Sequence, residues 1–547
     1  MPEVRVGPLL RHVGETDATI WVETDKPCRV EILGHSTDTF EIEGHHFAIL
    51  CVEGLDPDSV HPYEVHLDGD RAWPPDDYEF PQPRVRLMPR NGNLRLLFGS
   101  CRASAPHHPP YTFAGWWHPK GKGIDVLRAY GMRMLRQPSA LWPDAMMLMG
   151  DQLYADDVPD TVAEIVGGRE VHADGPVRVL EDFEEYCVGY WDAWRDPVVR
   201  WMLSTIPTST MFDDHEINDK WNTSQPWLHQ MRQTDWYETR VIGGLMAYWV
   251  FQHLGNLSPE ELAKDETYQS VCKSRDGGAI VREMAKRAES DKGLSRFSLC
   301  RDLGPARLIL IDARTGRQLA PGLRRIMTDD EWQWITSKVD GDYEHLLIAS
   351  SLPFLLSYGM HHVEAWAEAV ADGAWGKRFR GLGERVRLAA DLDHWACFQQ
   401  SYRDFEDLIV DAATGKRGDP PQSLLLFGGD VHHCWVSEVS LPDDAPPTRT
   451  SIWQIVCSGI RKELKIRELA ALHFGHTRLA TAVGRALVST THVGTPRLRW
   501  RPVTRPHFHN QIGTLEIADG EVGVRIEQVA GSWRKPRLLT VIEHKLL

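Results

Sequence analysis

Ala145-Met-Met-Leu-Met149, running straight into Gly150-Asp151-Gln152-Leu153-Tyr154-Ala155-Asp156, is the stretch from which the fold class follows. Five apolar residues without alternation suit a strand buried on both faces, and the abrupt change at Gly150 places a carboxylate at its carboxyl edge. In open α/β sheets that edge is where ligands bind. Asp151 is a hard oxygen donor. Tyr154 brings a phenol toward the same point, and a phenolate is stabilised there only by a strongly charged cation such as Fe(III). Read in isolation, the motif suits equally an Asp that caps the next helix and a Tyr that packs.

The same pattern recurs in both directions. Leu94-Arg-Leu-Leu-Phe98 ends at Gly99-Ser100-Cys101-Arg102, and Ser209-Thr-Met-Phe212 ends at Asp213-Asp214-His215-Glu216. Leu308-Ile-Leu-Ile311 leads to Asp312-Ala313-Arg314, and Leu346-Leu-Ile-Ala349 leads to Ser350-Ser351. Leu424-Leu-Leu-Phe427 leads to Gly428-Gly429-Asp430-Val431-His432-His433. Buried strands that each stop at polar or ionisable residues imply an α/β fold with its chemistry along one edge. Helical stretches at 236–253, 278–288 and 364–412 lie between them, the last rich in Trp and charge, as insertions that shape the mouth of a site.

Residues 1–90 have a different texture. Short runs at 18–24, 29–33, 47–52 and 63–67, punctuated by turns, predict a small β-sandwich. Gly54-Leu-Asp-Pro-Asp-Ser-Val-His-Pro-Tyr63 suits a tyrosine corner of the fibronectin type III kind, in which the hydroxyl bonds backbone upstream. The Pro-rich stretch Trp73-Pro-Pro-Asp-Asp-Tyr-Glu-Phe-Pro-Gln-Pro83 reads as a linker. Two domains are therefore expected, 1–90 and 91–547, the second closing with alternating strands at 512–542 around the turn Asp519-Gly520.

Composition excludes several classes. The 61 Lys+Arg against 77 Asp+Glu give a net charge of -16, which disfavours nucleic acid and anionic membrane as partners. The basic segment Arg497-Leu-Arg-Trp-Arg-Pro-Val-Thr-Arg505 reads, against that background, as a solvated face. No stretch approaches the length of an apolar membrane span. Nine unpaired-looking Cys argue against a disulfide framework, and the first residues lack the basic and apolar runs of a signal peptide, so a cytoplasmic location is expected. No Gly-rich dinucleotide fingerprint accompanies the strands, which weighs against a cofactor-dependent oxidoreductase.

Chemistry concentrates at the strand ends. Asp213-Asp214-His215-Glu216 crowds three carboxylates and an imidazole, an arrangement that costs free energy unless a cation or buried partner absorbs it. Asp214 is a candidate metal ligand or bridge, and His215 the candidate to contact a substrate phosphate or protonate a leaving oxygen. Asp430 and His432 add a carboxylate and an imidazole to the same edge. Cys101 is open to three readings: a nucleophile, for which Arg102 follows too closely, an inert buried thiol, or a metal thiolate, which the other motifs favour. Arg314 offers a guanidinium to phosphate or to an acidic neighbour. Together these donors suit a polynuclear centre that binds phosphoryl oxygens and lowers the pKa of water.

Gly99-Ser-Cys101, Gly150-Asp-Gln-Leu-Tyr-Ala-Asp156, Asp213-Asp-His-Glu216, Asp312-Ala-Arg314 and Gly429-Asp-Val-His432, in this order, resemble the PhoD-like alkaline phosphatases, relatives of the purple acid phosphatases among the metallophosphoesterases. The resemblance implies a four-layer α/β/β/α sandwich core behind a fibronectin type III-like β-sandwich. It also implies phosphomonoesterase or phosphodiesterase activity on a small phosphate ester, at a centre of Fe(III) with Ca(II), other divalent metals being alternatives. Carried over by motif, Cys101, Asp151 and Tyr154 would ligate the iron side, Asp214, Asp430 and His432 would be the other ligands of the centre without assignment to one ion, and His215 would meet the substrate. A non-catalytic binding module with a degenerate large domain is the alternative, and the full donor set argues against it.

Overall fold

Two mixed sheets carry the strand ends singled out above. The computed structural model describes residues 1–57, 59–88, 92–167, 179–291 and 296–547. In the six-stranded sheet Leu94–Gly99, Ala145–Leu148 and Thr208–Thr210 run parallel, and Gln511–Ala518, Glu521–Ser532 and Lys535–Lys545 extend it antiparallel. In the seven-stranded sheet Ala306–Ile311, His345–Ser350, Ser423–Gly428 and Ser451–Cys457 are parallel, flanked by antiparallel Leu299–Leu303 on one side and by Cys434–Ser440 and Arg499–Pro502 on the other. The fold is thus α/β with several sheets. The basic segment that reads as a solvated face forms the exposed edge strand Arg499–Pro502.

The two sheets share one apolar core. Phe98 meets Phe427 edge to face at 4.9 Å, with Leu96, Met147, Leu310, Leu347 and Leu425 buried around them. The central strands are buried along their whole length, which is why their sequences show no alternation. Helices lie on the opposite faces: Val126–Met134 against the antiparallel strands of the first sheet, and Asp329–Val339 against Ala306–Ile311.

The N-terminal region is β-rich. One four-stranded antiparallel sheet is built from Val4–Val13, Ala18–Thr24, His45–Val52 and Phe40–Ile42, and a second from His35–Asp38, Arg29–Ile32, Val65–Leu67 and Asp70–Trp73. The expected domain boundary at 90/91 lies outside the described residues. The tyrosine corner is corrected: the Tyr63 hydroxyl donates at 2.6 Å to the Ser204 carbonyl, far downstream. The ring is buried, so its hydroxyl needs a partner, and the last turn of helix Pro197–Thr205 offers a carbonyl the helix leaves free. Tyr63 therefore ties the N-terminal region to helix Pro197–Thr205.

Two further links tie the same region to later elements. Arg11, 1% exposed, donates through Nη2 to Thr210 Oγ1, the Gln252 carbonyl and Asn256 Oδ1 at 2.8–3.0 Å. His45 bridges Glu23 in its own sheet and Glu184 of helix Phe183–Trp194, at 2.8 and 2.9 Å.

Candidate metal centre

Strand ends from both sheets converge. Cys101 follows Leu94–Gly99, Asp151 follows Ala145–Leu148, Asp213 and Asp214 follow Thr208–Thr210, and Asp430 and His432 follow Ser423–Gly428. The donor atoms of Cys101, Asp151, Asp430 and His432 all lie within 4.8 Å of one another, as do those of Asp151, Asp213, Asp214 and Asp430. Asp151, Asp214 and His215 form a third such group, and Asp393, His394 and Asp430 a fourth. Asp151 and Asp430 each recur in three of the four, so these two carboxylates lie at the middle of the cluster.

The backbone reaches this geometry through unfavourable conformations. Cys101, Asp151, Asp430 and His432 all have left-handed φ, between 51° and 62°. A non-glycine residue in that region costs on the order of 1 kcal/mol, so the surroundings must hold it there. They do so through cross-loop bonds. Cys101 N–H donates to the Gly150 carbonyl at 3.2 Å, Arg102 N–H to the Asp151 carbonyl at 2.9 Å, and Arg461 N–H to the Cys101 carbonyl at 3.1 Å. Gly150, at φ 93°, lies so close to the neighbouring loop that a Cβ on it would sit 2.6 Å from Cβ of Asp213.

Glu216 is the clamp beneath the ligand loops. Its Oε2 accepts from Asp213 N–H at 2.9 Å and Asp151 N–H at 3.2 Å, and its Oε1 from Gln152 N–H at 2.8 Å and Gln252 Nε2 at 3.0 Å. Gln252 reaches it from the π-helical turn Trp249–His253, which interrupts an otherwise α-helical run. Burial pushes the Glu216 carboxyl up to about 7 against the pull of these donors.

Polar atoms without partners mark where a ligand belongs. Both carboxylate oxygens of Asp151, the Tyr154 hydroxyl, Asp213 Oδ2, Asp214 Oδ1, His432 Nε2 and Arg314 Nη2 are buried with no hydrogen bond. Buried polar groups in folded proteins are almost always satisfied. Burial drives the Asp151 and Asp430 carboxyls, the Cys101 thiol and the Tyr154 phenol well above their ordinary values, neighbouring acids adding to each shift. Burial, reinforced by Lys462, lowers His432 well below the usual imidazole range and keeps its lone pair available. One sulfur, one nitrogen and several hard oxygens that resist ionisation until a cation arrives fit a metal centre.

The remaining candidates fall around this cluster. His215 holds Asp156 through Nδ1 at 2.7 Å, and its ring lies 4.3 Å from that of Tyr154. Burial disfavours its charge, but Asp156 and Asp151 outweigh that, so the imidazole titrates well above its ordinary value. Arg314 is wholly buried, paired with Asp213 and Asp393, and its Nη2 is 3.5 Å from both Asp214 and Asp430. Lys462, with Nζ 4.1 Å from the Tyr154 ring centroid, and Lys122, bonded to Asp157, bring cations to the mouth. Glu216 as a clamp, Gln252, His394 and the two lysines escape reading from the sequence: none closes an apolar run at a strand end except Glu216, whose role depends on backbone it cannot reveal.

Comparison with known proteins bears on the family and the fold. The family model for the PhoD-like phosphatases matches residues 125–491, and a domain of unknown function (DUF7800) matches residues 1–85. No curated protein matches the chain. Among solved structures, that of PhoD is 11% identical with a TM-score of 0.59, covering 100% of this chain and 92% of its own. The purple acid phosphatase PPD1 from yellow lupin (Lupinus luteus) seeds is 11% identical with a TM-score of 0.46, covering 98% of this chain and 73% of its own. The family match takes in two thirds of the chain and the strand ends from Asp151 to His432, and the protein belongs to the PhoD-like phosphatase family.

Proposed function

We propose that this phosphatase hydrolyses small phosphate esters at a metal centre held by Cys101, Asp151, Tyr154, Asp214, Asp430 and His432, within a large domain of residues 91–547 layered as an α/β/β/α sandwich. The N-terminal domain, residues 1–90, we read as a fibronectin type III-like support for it. The observation that carries the proposal is the convergence, at the ends of parallel strands, of overlapping groups of donors that lie within 4.8 Å of one another, several of them buried without a hydrogen bond. The thiolate and phenolate positions favour Fe(III) on the Cys101 side, and the all-oxygen group of Asp151, Asp213, Asp214 and Asp430 suits Ca(II).

A bound cation supplies positive charge for the phosphoryl oxygens and a lower pKa for water. The chain's own groups do the rest. His215, held charged by Asp156 and aligned by the Tyr154 ring, donates a proton or hydrogen bond to the leaving or phosphoryl oxygen. Asp214 would help to hold the metal beside it. Arg314 pairs with Asp213 and Asp393 and lies 3.5 Å from Asp214 and Asp430, so it offsets part of the negative charge crowded at the site. Lys462 and Lys122 draw the dianion to the mouth.

The test is elemental analysis of the purified protein with turnover of p-nitrophenyl phosphate and bis-p-nitrophenyl phosphate before and after chelation. Bound metal with chelator-sensitive hydrolysis is the expected result, and the ratio of the two rates assigns monoester or diester preference. Full activity in metal-free protein would overturn the proposal.

A further inference from the structure

His394 introduces the short turn Trp395–Cys397, away from any strand end. Its Nδ1 lies 2.7 Å from Oε1 of Glu364, a carboxylate wholly buried on helix Tyr358–Asp372. Its Nε2 is buried without a hydrogen-bond partner, 3.9 Å from Oδ2 of Asp430. We propose that His394 is a further ligand of the metal centre through Nε2, beside Asp430, with Glu364 fixing the ring. The inference rests on the metal-centre reading above.

The pairing with Glu364 does not by itself account for the geometry. An imidazole present only to satisfy Glu364 would have its second nitrogen turned to water or to another donor or acceptor, because an unpartnered buried polar atom is destabilising. Here that nitrogen is buried and faces the ligand cluster. Metal-binding histidines, by contrast, almost always pass their other ring N–H to a carboxylate, a backbone carbonyl or water, which sets the tautomer and strengthens the donor. Glu364 stands where such a partner belongs. Two donors at about 2.0–2.2 Å from one ion are roughly 3 to 4 Å apart, so the separation of His394 and Asp430 suits a shared ion.

The acidic neighbour of His394 does not compete for the role. Asp393 Oδ2 is taken by Arg314 and by Arg317, the latter at 3.3 Å, and the Asp393 carbonyl accepts from Arg317 at 2.7 Å. Oδ2 of Asp393 is thus held by the two arginines, whereas Nε2 of His394 is buried with no hydrogen bond. Asp430, already grouped with Cys101, Asp151 and His432, would then link His394 to that set.

The experiment titrates the full-length, chelator-stripped protein with Co(II) alone, following its visible absorption, for the parent chain and for His394→Gln, His394→Cys and Glu364→Gln, each checked for its unfolding temperature. Glu364→Gln is expected to weaken Co(II) binding by roughly tenfold or more, and His394→Gln, which removes the ligand itself, by at least as much. His394→Cys is expected to add a sulfur-to-cobalt charge-transfer band beyond that of the parent, which no indirect structural role would produce and which does not depend on the Gln variant folding. Unchanged Co(II) affinity in a folded His394→Gln protein, or a His394→Cys protein without the new band, would overturn the inference and leave the rest of the centre standing. A parent chain that binds no Co(II), Fe(III) or Ca(II) would overturn the metal-centre reading itself.

Discussion

Replacing Glu216 should separate the architecture of the centre from its donors, because Glu216 touches no proposed substrate and holds the backbone of two ligand loops. Glu216→Ala strands three buried backbone N–H groups, those of Asp151, Gln152 and Asp213, together with the Gln252 amide. Each unsatisfied buried donor costs about 1–3 kcal/mol. Allowing for partial filling by water, the variant should lose about 3–5 kcal/mol. Glu216→Gln is the sharper probe. Its amide oxygen can serve one pair of donors, while its NH2 must face the other pair, donor against donor, at a cost of about 2 kcal/mol. Urea unfolding followed by tryptophan fluorescence measures the loss, and elemental analysis of the folded variants reports whether Asp151 and Asp213 keep their places. If Glu216→Gln holds both stability and metal content at the parent level, the clamp described here is not what orders these loops.

Other substitutions test single links. Gly150→Ala adds a Cβ 2.6 Å from that of Asp213 at a left-handed φ, so a loss of about 2–4 kcal/mol with reduced metal content is expected from calorimetry and elemental analysis. Tyr63→Phe removes the bond to the Ser204 carbonyl and should cost about 1 kcal/mol by urea unfolding, with turnover unchanged. His45 gives a pH dependence: burial disfavours its charge, but Glu23 and Glu184 outweigh that and raise its pKa above 6.5. A raised folded-state pKa contributes stability that is full below the unfolded value and lost as pH rises through the folded one. Urea midpoints of the parent should therefore fall relative to those of His45→Gln as pH rises above about 6.5, and parallel curves would refute the link.

The strand ends were legible because the parallel strands are buried on both faces and their apolar runs stop where the chemistry begins. Cys101, Asp151, Tyr154, Asp214, Asp430 and His432 all follow such runs. The strand Ser451–Cys457 is harder to read because Gln454 interrupts it, yet the structure satisfies that side chain: it accepts from Leu355 N–H at 2.7 Å and donates to the Leu355 carbonyl at 2.6 Å. Ser458 at its end bonds the Cys101 sulfur at 3.2 Å and receives His432 N–H at 3.1 Å. His394 is invisible for another reason, since it enters from a helical region whose packing brings distant sequence to the centre. Nor does any local preference announce four non-glycine residues at positive φ. Glycine would be expected there, and the chain places Cys, Asp, Asp and His, whose side chains carry the candidate donors.

The donors are divided between the two sheets, and this has a thermodynamic consequence. Cys101, Asp151, Asp213 and Asp214 belong to the six-stranded sheet, whereas Asp430 and His432 belong to the seven-stranded one. Neither sheet alone assembles the group of Cys101, Asp151, Asp430 and His432, so an ion that binds it also holds the two sheets against each other. Binding that requires the packed state stabilises that state by RT ln(1 + [L]/Kd), about 2.7 kcal/mol at a hundredfold excess over Kd. Adding metal to chelator-stripped protein should therefore raise the temperature at which the whole large domain unfolds, in a single transition. In an Asp430→Asn, His432→Gln double variant the same addition should raise it far less, although the six-stranded sheet keeps all its own donors. An equal rise in both proteins would mean that the ion is bound within one sheet and that the convergence of strand ends is not what holds it.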